Sequence, residues 1–217
     1  MAKKADKRRE KARQRKAARR KEKRSSGSLA PRGKSRGTLR LSASWPLHEA
    51  WLTQSWKEPG QLVQILVARR SAQDDIAVGT FLVDLGCLGV KSAFGRILSP
   101  MEYGELRATT QRTQEMAQVD DLNLLAKIVR EGVAYAQELG FKPDPDYRDA
   151  LLVLGDADPD LSDVEIPLGK DGKPFFVAGP HDNVEAIMTR LTRKCGPDGF
   201  HYLVPMMGPG LGEDREE

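Results

Sequence analysis

The sequence has only two cysteines, Cys87 and Cys195, and neither belongs to a Cys-x-x-Cys pair or a Cys/His cluster. Disulfide frameworks and structural zinc sites need several closely spaced thiols or imidazoles. The pattern therefore argues against both classes of protein. A reducing compartment is the simpler expectation: the cytoplasm, or the nucleus if the source is eukaryotic.

Long apolar runs are lacking too. No stretch approaches the roughly 20 apolar residues of a transmembrane helix. Met1 is followed by charged residues rather than by the apolar segment of a secretory signal. We therefore expect no membrane partner.

Charge is abundant but divided unevenly along the chain. Residues 1–40 contain 18 Lys and Arg against 3 Asp and Glu, a net charge of +15. Because the whole chain carries +4, residues 41–217 must carry −11. A cationic arm joined to an acidic body indicates local attraction to a polyanion, since its field decays over about 8–10 Å at cellular salt.

The arm at residues 2–24 uses almost only Ala, Lys, Arg, Glu and Gln, followed by a Ser/Gly/Pro-rich linker at 25–37. These are helix-forming residues, but like charges repel one another and no apolar stripe anchors a helix, so we expect a disordered or partly helical segment. No aromatic residue precedes Trp45, so base stacking is not available and binding to RNA or DNA should be sequence-tolerant and salt-sensitive. The predicted nucleic-acid-binding residues are Lys3, Lys4, Lys7, Arg8, Arg9, Lys11, Arg13, Arg15, Lys16, Arg19, Arg20, Lys21, Lys23 and Arg24.

Other interpretations of the arm remain open. It could be a nuclear-localisation signal, a site for anionic membranes or a solubility tail. The membrane interpretation lacks the Trp, Phe or Leu residues that an interfacial helix buries.

The rest of the chain predicts one α+β domain with antiparallel hairpins and three to four helices. The expected division is a basic arm and linker at 1–40, an acidic domain at 41–205 and a disordered acidic tail at 206–217. The Gly-rich GPGLG at 208–212 resembles a phosphate loop in composition only.

The strand predictions rest on β-branched runs and turn residues. Residues 61–69 and 76–85 should form a hairpin, and Asp171-Gly172 predicts a second hairpin within 164–179. Residues 200–205 should form the last strand.

The helix predictions rest on apolar spacing and on capping residues. Ser99 is the expected N-cap of one helix, Asp120 or Asp121 of another, and Gly140 and Gly196 are expected stops. Helices are expected at 45–56, 99–114, 121–139, 146–156 (where a buried strand is the alternative) and in HDNVEAIMTRLTRKCG, which ends at Gly196.

Asp84 is the one carboxylate within the apolar run GTFLVDLGCLGVK at 79–91. The favoured interpretation is structural: Asp84 accepts hydrogen bonds from the backbone of the Gly86–Val90 turn and pairs with Lys91, because a buried carboxylate without partners would cost several kcal/mol. The alternative is a metal-dependent, nuclease-like hydrolase in which Asp156, Asp158 and Asp160 add oxygen ligands for Mg²⁺.

Two further motifs bear on that alternative. DLGCLG at 84–89 resembles the acidic segment of ribonuclease H-like nucleases, but in that fold the acidic strand opens the sheet, whereas here a complete strand precedes it. GDADPDLSD at 155–163 lacks the Gly and Glu that an EF-hand loop requires.

The remaining polar candidates favour structural roles. Cys87 could be a nucleophile with His48, His181 or His201 as its base, but the spacing supports no triad and a buried thiol is favoured. His181 could help a helix N-terminus bind an anion, with Asp182 as a plain N-cap the favoured interpretation.

The sequence therefore assigns no catalytic residue, metal ligand or cofactor, and we expect a binding protein rather than an enzyme. The main hypothesis is an RNA-, DNA- or ribosome-associated protein whose arm docks on nucleic acid while the acidic body contacts a protein partner or modulates the arm. Besides this hypothesis and the hydrolase alternative, a third hypothesis is that the body carries the function alone and the arm is only a targeting signal.

Overall fold

The computed structural model describes residues 36–204, and these form a mixed α+β fold built on a five-stranded antiparallel sheet. The strand order is β4-β3-β2-β1-β5, and a separate parallel pair joins β6 and β7. The strands are β1 (Leu47–Thr53), β2 (Leu62–Arg70), β3 (Ile76–Asp84), β4 (Gly89–Leu98), β5 (Met116–Gln118), β6 (Phe175–Val177) and β7 (His201–Leu203). The predicted fold class is confirmed.

The described residues contain five α-helices, slightly more than the three to four expected. They are α1 (Arg36–Leu41), α2 (Pro100–Thr113), α3 (Leu122–Glu138), α4 (Tyr147–Leu154) and α5 (Val184–Cys195). The extra helix, α1, spans the expected domain boundary between residues 40 and 41 and places Leu39 in the core. None of the described helices is long and apolar enough to cross a bilayer.

The predicted hairpin of β2 and β3 is the centre of the fold. Its register runs from Leu62 opposite Asp84 to Arg70 opposite Ile76. The main core packs α1, α3 and α4 on one face of the sheet, and α2 covers the other face around Tyr103. Because both faces are covered, β3 is buried along nearly its whole length.

The helix predictions at 99–114, 121–139 and 146–156 are confirmed as α2, α3 and α4. Ser99 and Glu102 form a reciprocal capping box, which satisfies two backbone N–H groups at the start of α2. Asp121 caps α3, and Gly140 follows it with a φ of 85°.

The predicted helix at 45–56 is wrong, because residues 47–53 form β1. Ala50 and Leu52 enter the main core while Trp51 packs on the opposite face, and the strand pairs with β2 on one side and β5 on the other. The large apolar residues there fit a period of two as well as a helical period, so the pairing decides. Strand β4 had no counterpart in the sequence prediction.

The Asp171-Gly172 turn is present, but the hairpin predicted around it at 164–179 is not. Both turn residues have positive φ, 50° and 74°, and Lys170 and Lys173 form a single antiparallel bridge. The flanking segments instead bind the β3–β4 turn: Gly169 donates to the carbonyl of Leu85, and Phe175 donates to that of Gly86, each at 2.9 Å. The predicted last strand is present as β7, but it pairs parallel with β6.

Candidate functional site

The 14 arm residues from Lys3 to Arg24 lie outside the residues that the structure describes, so their role stays a prediction. The same applies to GPGLG at 208–212. The candidate site on the described body is a cleft at the end of the sheet where β3 finishes and β2 begins.

The cleft has a volume of about 270 Å³, close to the lower end of the range for small-molecule sites. Four separate parts of the fold build it: the start of β2, the β3–β4 hairpin, the residue that ends α2, and β6 with the loop after it. Its lining residues are Gly60, Gln61, Leu62, Asp84, Lys91, Gln114, Phe175, Val177, Ala178 and Gly179. We call this the Asp84 cleft.

Asp84 ends β3 with only 6% of its surface exposed. Its Oδ1 accepts hydrogen bonds from the backbone N–H of Cys87 at 2.9 Å and of Leu88 at 3.5 Å. The predicted structural role of Asp84 in the turn is therefore present. Burial raises the pKa of Asp84 above its ordinary 3.8, while the Cys87 amide, the charge of Lys91 and the other turn amides act to lower that pKa.

Gly86 is required by the close packing of the turn against β6. A Cβ at this position would overlap the carbonyl oxygen of Phe175 and would lie 3.0 Å from Oδ1 of Asp84. The backbone of the turn can therefore approach both groups only because the residue has no side chain. This contact holds Asp84 and Phe175 in the same wall of the cleft.

Lys91 reaches from β4 to the loop before α5, where its Nζ lies 2.7 Å from Oδ2 of Asp182. The same oxygen accepts a hydrogen bond from the backbone N–H of Gly179 at 2.8 Å. The expected ion-pair partner of Lys91 was Asp84, but its hydrogen-bonded partner is Asp182. Both side chains of the pair are largely buried, with 18% and 11% exposed.

The N-cap of α5 corrects a second assignment. Asn183, not Asp182, caps the helix by accepting a hydrogen bond from the backbone N–H of Ala186 at 3.1 Å. Asp182 instead closes its own loop on Gly179 and neutralises Lys91, which are tertiary contacts that a local capping pattern does not show.

The carboxylates invoked for a metal-dependent hydrolase are not brought together. Asp156 is fully exposed, 3.9 Å from Arg69. Asp84 pairs with Leu62 at the start of β2, whereas Arg69 is seven residues further along that strand. At roughly 3.3 Å per residue, Leu62 and Arg69 are about 23 Å apart along the strand, so Asp156 beside Arg69 lies at the opposite end of the hairpin from Asp84. Asp160 pairs with Arg130, and within residues 36–204 no group of three His, Cys, Asp or Glu could hold a metal ion.

Cys87 is completely buried in a cluster with Leu88, Phe176 and Leu191. Burial, followed by the nearby charge of Asp84, raises the pKa of the Cys87 thiol, so the thiolate that a nucleophile requires is disfavoured. The interpretation of Cys87 as a small apolar core residue agrees with this environment. His48, one of the proposed bases, packs edge-on against Tyr103 on the far face of the sheet.

A second concavity is an apolar groove of about 410 Å³ between α3 and α4. Val129, Val133 and Leu151 are among its lining residues. One wall belongs to residues 142–165, which contain eight Asp and Glu against two Lys and Arg. We call these residues the acidic segment; much of the body's negative charge lies there.

The sequence placed Asp84 and Lys91 together in the segment 79–91 and Asp182 in a different motif, and it did not bring the two segments into one site. It missed Gln114 and Phe175 entirely, because neither belongs to a recognisable motif. Lys91 and Asp182 are 91 positions apart, so only the folded chain brings them together. No local pattern could have signalled this convergence.

Comparisons of the chain with protein-family models, with curated proteins and with solved structures found no match.

Proposed function

We propose that the protein binds nucleic acid through its basic arm, residues 3–24, and that the α+β body is the folded module to which the arm is attached. The observation that carries this proposal is the division of charge, +15 on residues 1–40 against −11 on residues 41–217. Lys and Arg side chains that neutralise phosphates release condensed counterions, and that release drives sequence-tolerant binding.

The negative charge of the body supports contact with nucleic acid through the arm and not through the body. Its acidic segment repels phosphate, so contact with nucleic acid is confined to the arm, while the same surface is free to attract a basic protein partner. Ribosomes present both chemistries, nucleic acid and basic protein, and are one setting that would use both halves of the chain. The cytoplasmic or nuclear location expected from the sequence is part of this proposal.

The test compares two charge-matched variants of the full chain. The arm variant changes five residues to Gln, and the body variant changes five exposed residues of the described fold to Gln, so that both lose five positive charges. The arm variant carries changes at Arg13, Arg15, Lys16, Arg19 and Arg20. The body variant carries changes at Arg112, Lys142, Arg148, Arg193 and Lys194.

Binding to fluorescent single-stranded RNA, single-stranded DNA and duplex DNA is measured by anisotropy between low and physiological salt. For the parent we expect log K to fall linearly with log salt, with a slope of about −0.7 per phosphate contacted on single strands. The arm variant should bind at least ~10-fold more weakly at physiological salt and should show a flatter slope. The body variant should stay close to the parent.

Equal weakening in the two variants would show that net charge matters and the arm does not. Absence of binding to all three polymers at low salt would overturn the proposal. Unchanged binding by the arm variant would overturn the proposal as well, and would indicate that the body binds the nucleic acid.

A further inference from the structure

The Asp84 cleft combines a deeply buried carboxylate with open volume. The proposed binding of nucleic acid by the arm does not involve this cleft. Its walls are mixed: Leu62, Phe175 and Val177 are apolar, whereas Asp84 and Lys91 are charged. Clefts with apolar walls and a few convergent polar groups are the usual form of small-ligand sites.

The ion pairs found among the described residues do not include Asp84. Lys91 is paired with Asp182 at 2.7 Å, so its positive charge is already matched. Asp84 then remains as a second carboxylate beside one ammonium group. A cation that enters the cleft would favour the ionised form of Asp84, because an opposite charge close to a carboxyl group stabilises the carboxylate.

The hydrogen bonds of Asp84 show which atom is available. The backbone N–H groups of Cys87 and Leu88 both donate to Oδ1. No hydrogen bond from the described residues to Oδ2 is found, although the side chain is more than nine-tenths buried and lines the cleft. Oδ2 is not one of the fully buried side-chain atoms that lack a partner, so it is accessible from the cleft, where the N–H of a ligand can donate to it.

The walls define the rest of the ligand. The Phe175 ring offers an aromatic surface that attracts cations, and it already lies 5.3 Å from the ammonium of Lys170. Leu62, Val177 and Ala178 add aliphatic surface for a short carbon chain. At about 270 Å³ the volume suits a small compound rather than a nucleotide or a folded partner.

We infer that the Asp84 cleft binds a small organic cation, a primary ammonium or guanidinium compound with a short aliphatic chain, whose N–H groups donate to Oδ2 of Asp84. The chain lies against Phe175 and Val177. The inference is independent of the arm, because it rests only on residues of the body.

The probe is n-butylammonium chloride, titrated into ¹⁵N-labelled full-length protein and followed by the backbone amides of Cys87 and Leu88. We expect saturable shifts of both amide signals, with a dissociation constant of roughly millimolar order for so small a compound. A titration with sodium chloride at the same concentrations controls for ionic strength. A titration with n-butanol tests whether the positive charge of the compound is required. Butylguanidinium, in a separate titration, tests the second cation type.

Asp84→Asn should weaken n-butylammonium binding about tenfold or more, since it removes the charge that the cation requires. Asp156→Asn is the matched control: it removes the same charge from a fully exposed position and should bind as the parent does. Equal affinities in the two variants would overturn the inference. Equal shifts with n-butanol, or no saturable shift with either cation, would overturn it as well.

Ala178→Leu keeps Asp84 and narrows the cleft, so it decides the question if Asp84→Asn fails to fold. Loss of n-butylammonium binding in this variant supports the inference. Parent-like affinity in Ala178→Leu places the cation elsewhere and rejects the cleft as its site.

Discussion

The two ends of the β2–β3 hairpin each contain a buried charge, but the two charges are satisfied in different ways. At one end, Arg69 is 6% exposed, and all three of its guanidinium nitrogens donate to backbone carbonyls. At the other end, Asp84 is equally buried, but its hydrogen bonds reach one oxygen and a cleft lies beside it. Burial of a charge alone therefore does not mark a candidate site; what distinguishes the Asp84 end is the open volume beside the carboxylate.

The Arg69 end shows what a purely structural charge looks like. Nε and Nη2 donate to the carbonyls of Val153 and Leu154 at 2.7 and 2.9 Å, and Nη1 donates to that of Trp45 at 2.9 Å. The carbonyls at the C-terminus of a helix have no partner within the helix and carry partial negative charge. Arg69 therefore closes α4 and ties it to β2 and to the segment before β1.

The largest expected effect comes from breaking this closed end. Arg69→Met leaves three backbone carbonyls without their donors and should lower the free energy of unfolding by at least roughly 3 kcal/mol, at about 1 to 3 kcal/mol for each buried group left unpaired. Chemical denaturation of the variant and the parent measures the change. Arg70→Met is the control, because Arg70 is 43% exposed and pairs only with the exposed Asp74; equal midpoints for the two variants would refute the assignment.

An effect that depends on pH is expected at the open end. The pKa of Asp84 is raised in the folded state, so the native protein holds this proton more tightly than the unfolded chain does. The contribution of Asp84 to the free energy of unfolding is therefore present at low pH and is lost as the pH rises from about 4 toward the pKa of the folded state. The loss is about 1.4 kcal/mol for each unit by which the folded pKa exceeds the unfolded pKa.

Asp84→Asn removes that titration and keeps an oxygen to accept the turn N–H groups. The free energy of unfolding of the parent relative to this variant should decline as pH is raised from 4 to 8, in denaturation series at fixed ionic strength. A difference that stays constant across this range would contradict the raised pKa.

The smallest effect is expected at Asp156, which lies 3.9 Å from Arg69 but is fully exposed. Solvent screens such a pair, so Asp156→Asn should leave both the denaturation midpoint and its pH profile within error of the parent. Loss of stability comparable to that of Arg69→Met would mean that the Arg69 end depends on its carboxylate neighbour after all.

Much of the fold was predictable where local chemistry decides the structure. The β-branched runs of β2 and β3 with their connecting turn, Ser99 as an N-cap and the apolar face of α3 with Gly140 after it all appear as expected. Each of these signals involves residues within a few positions of one another. The structural role of Asp84 belongs to this group, since its hydrogen-bond donors are three and four residues away.

The errors occur where partners distant in the sequence decide. Residues 47–53 carry large apolar side chains that suit a helix, yet pairing with β2 and β5 makes them a strand. Strand β4 lacks a strong local pattern, and its pairing with β3 and its packing against α4 define it. The Asp171-Gly172 turn formed as predicted, but its flanks bind the β3–β4 turn rather than each other.

Some features of the candidate site were likewise predictable from local sequence, and others depend on segments that meet only in the folded chain. The sequence by itself determined the charge of the arm, the carboxylate set in an apolar run and the glycines around it, because composition and short-range geometry are properties of neighbouring residues. Only the tertiary structure decided that Lys91 would pair with Asp182 and that Phe175 would line the same cleft as Asp84, since those side chains belong to segments that meet after folding. Hydrogen bonds and buried area are gained between surfaces, and which surfaces meet depends on the whole chain packing at once.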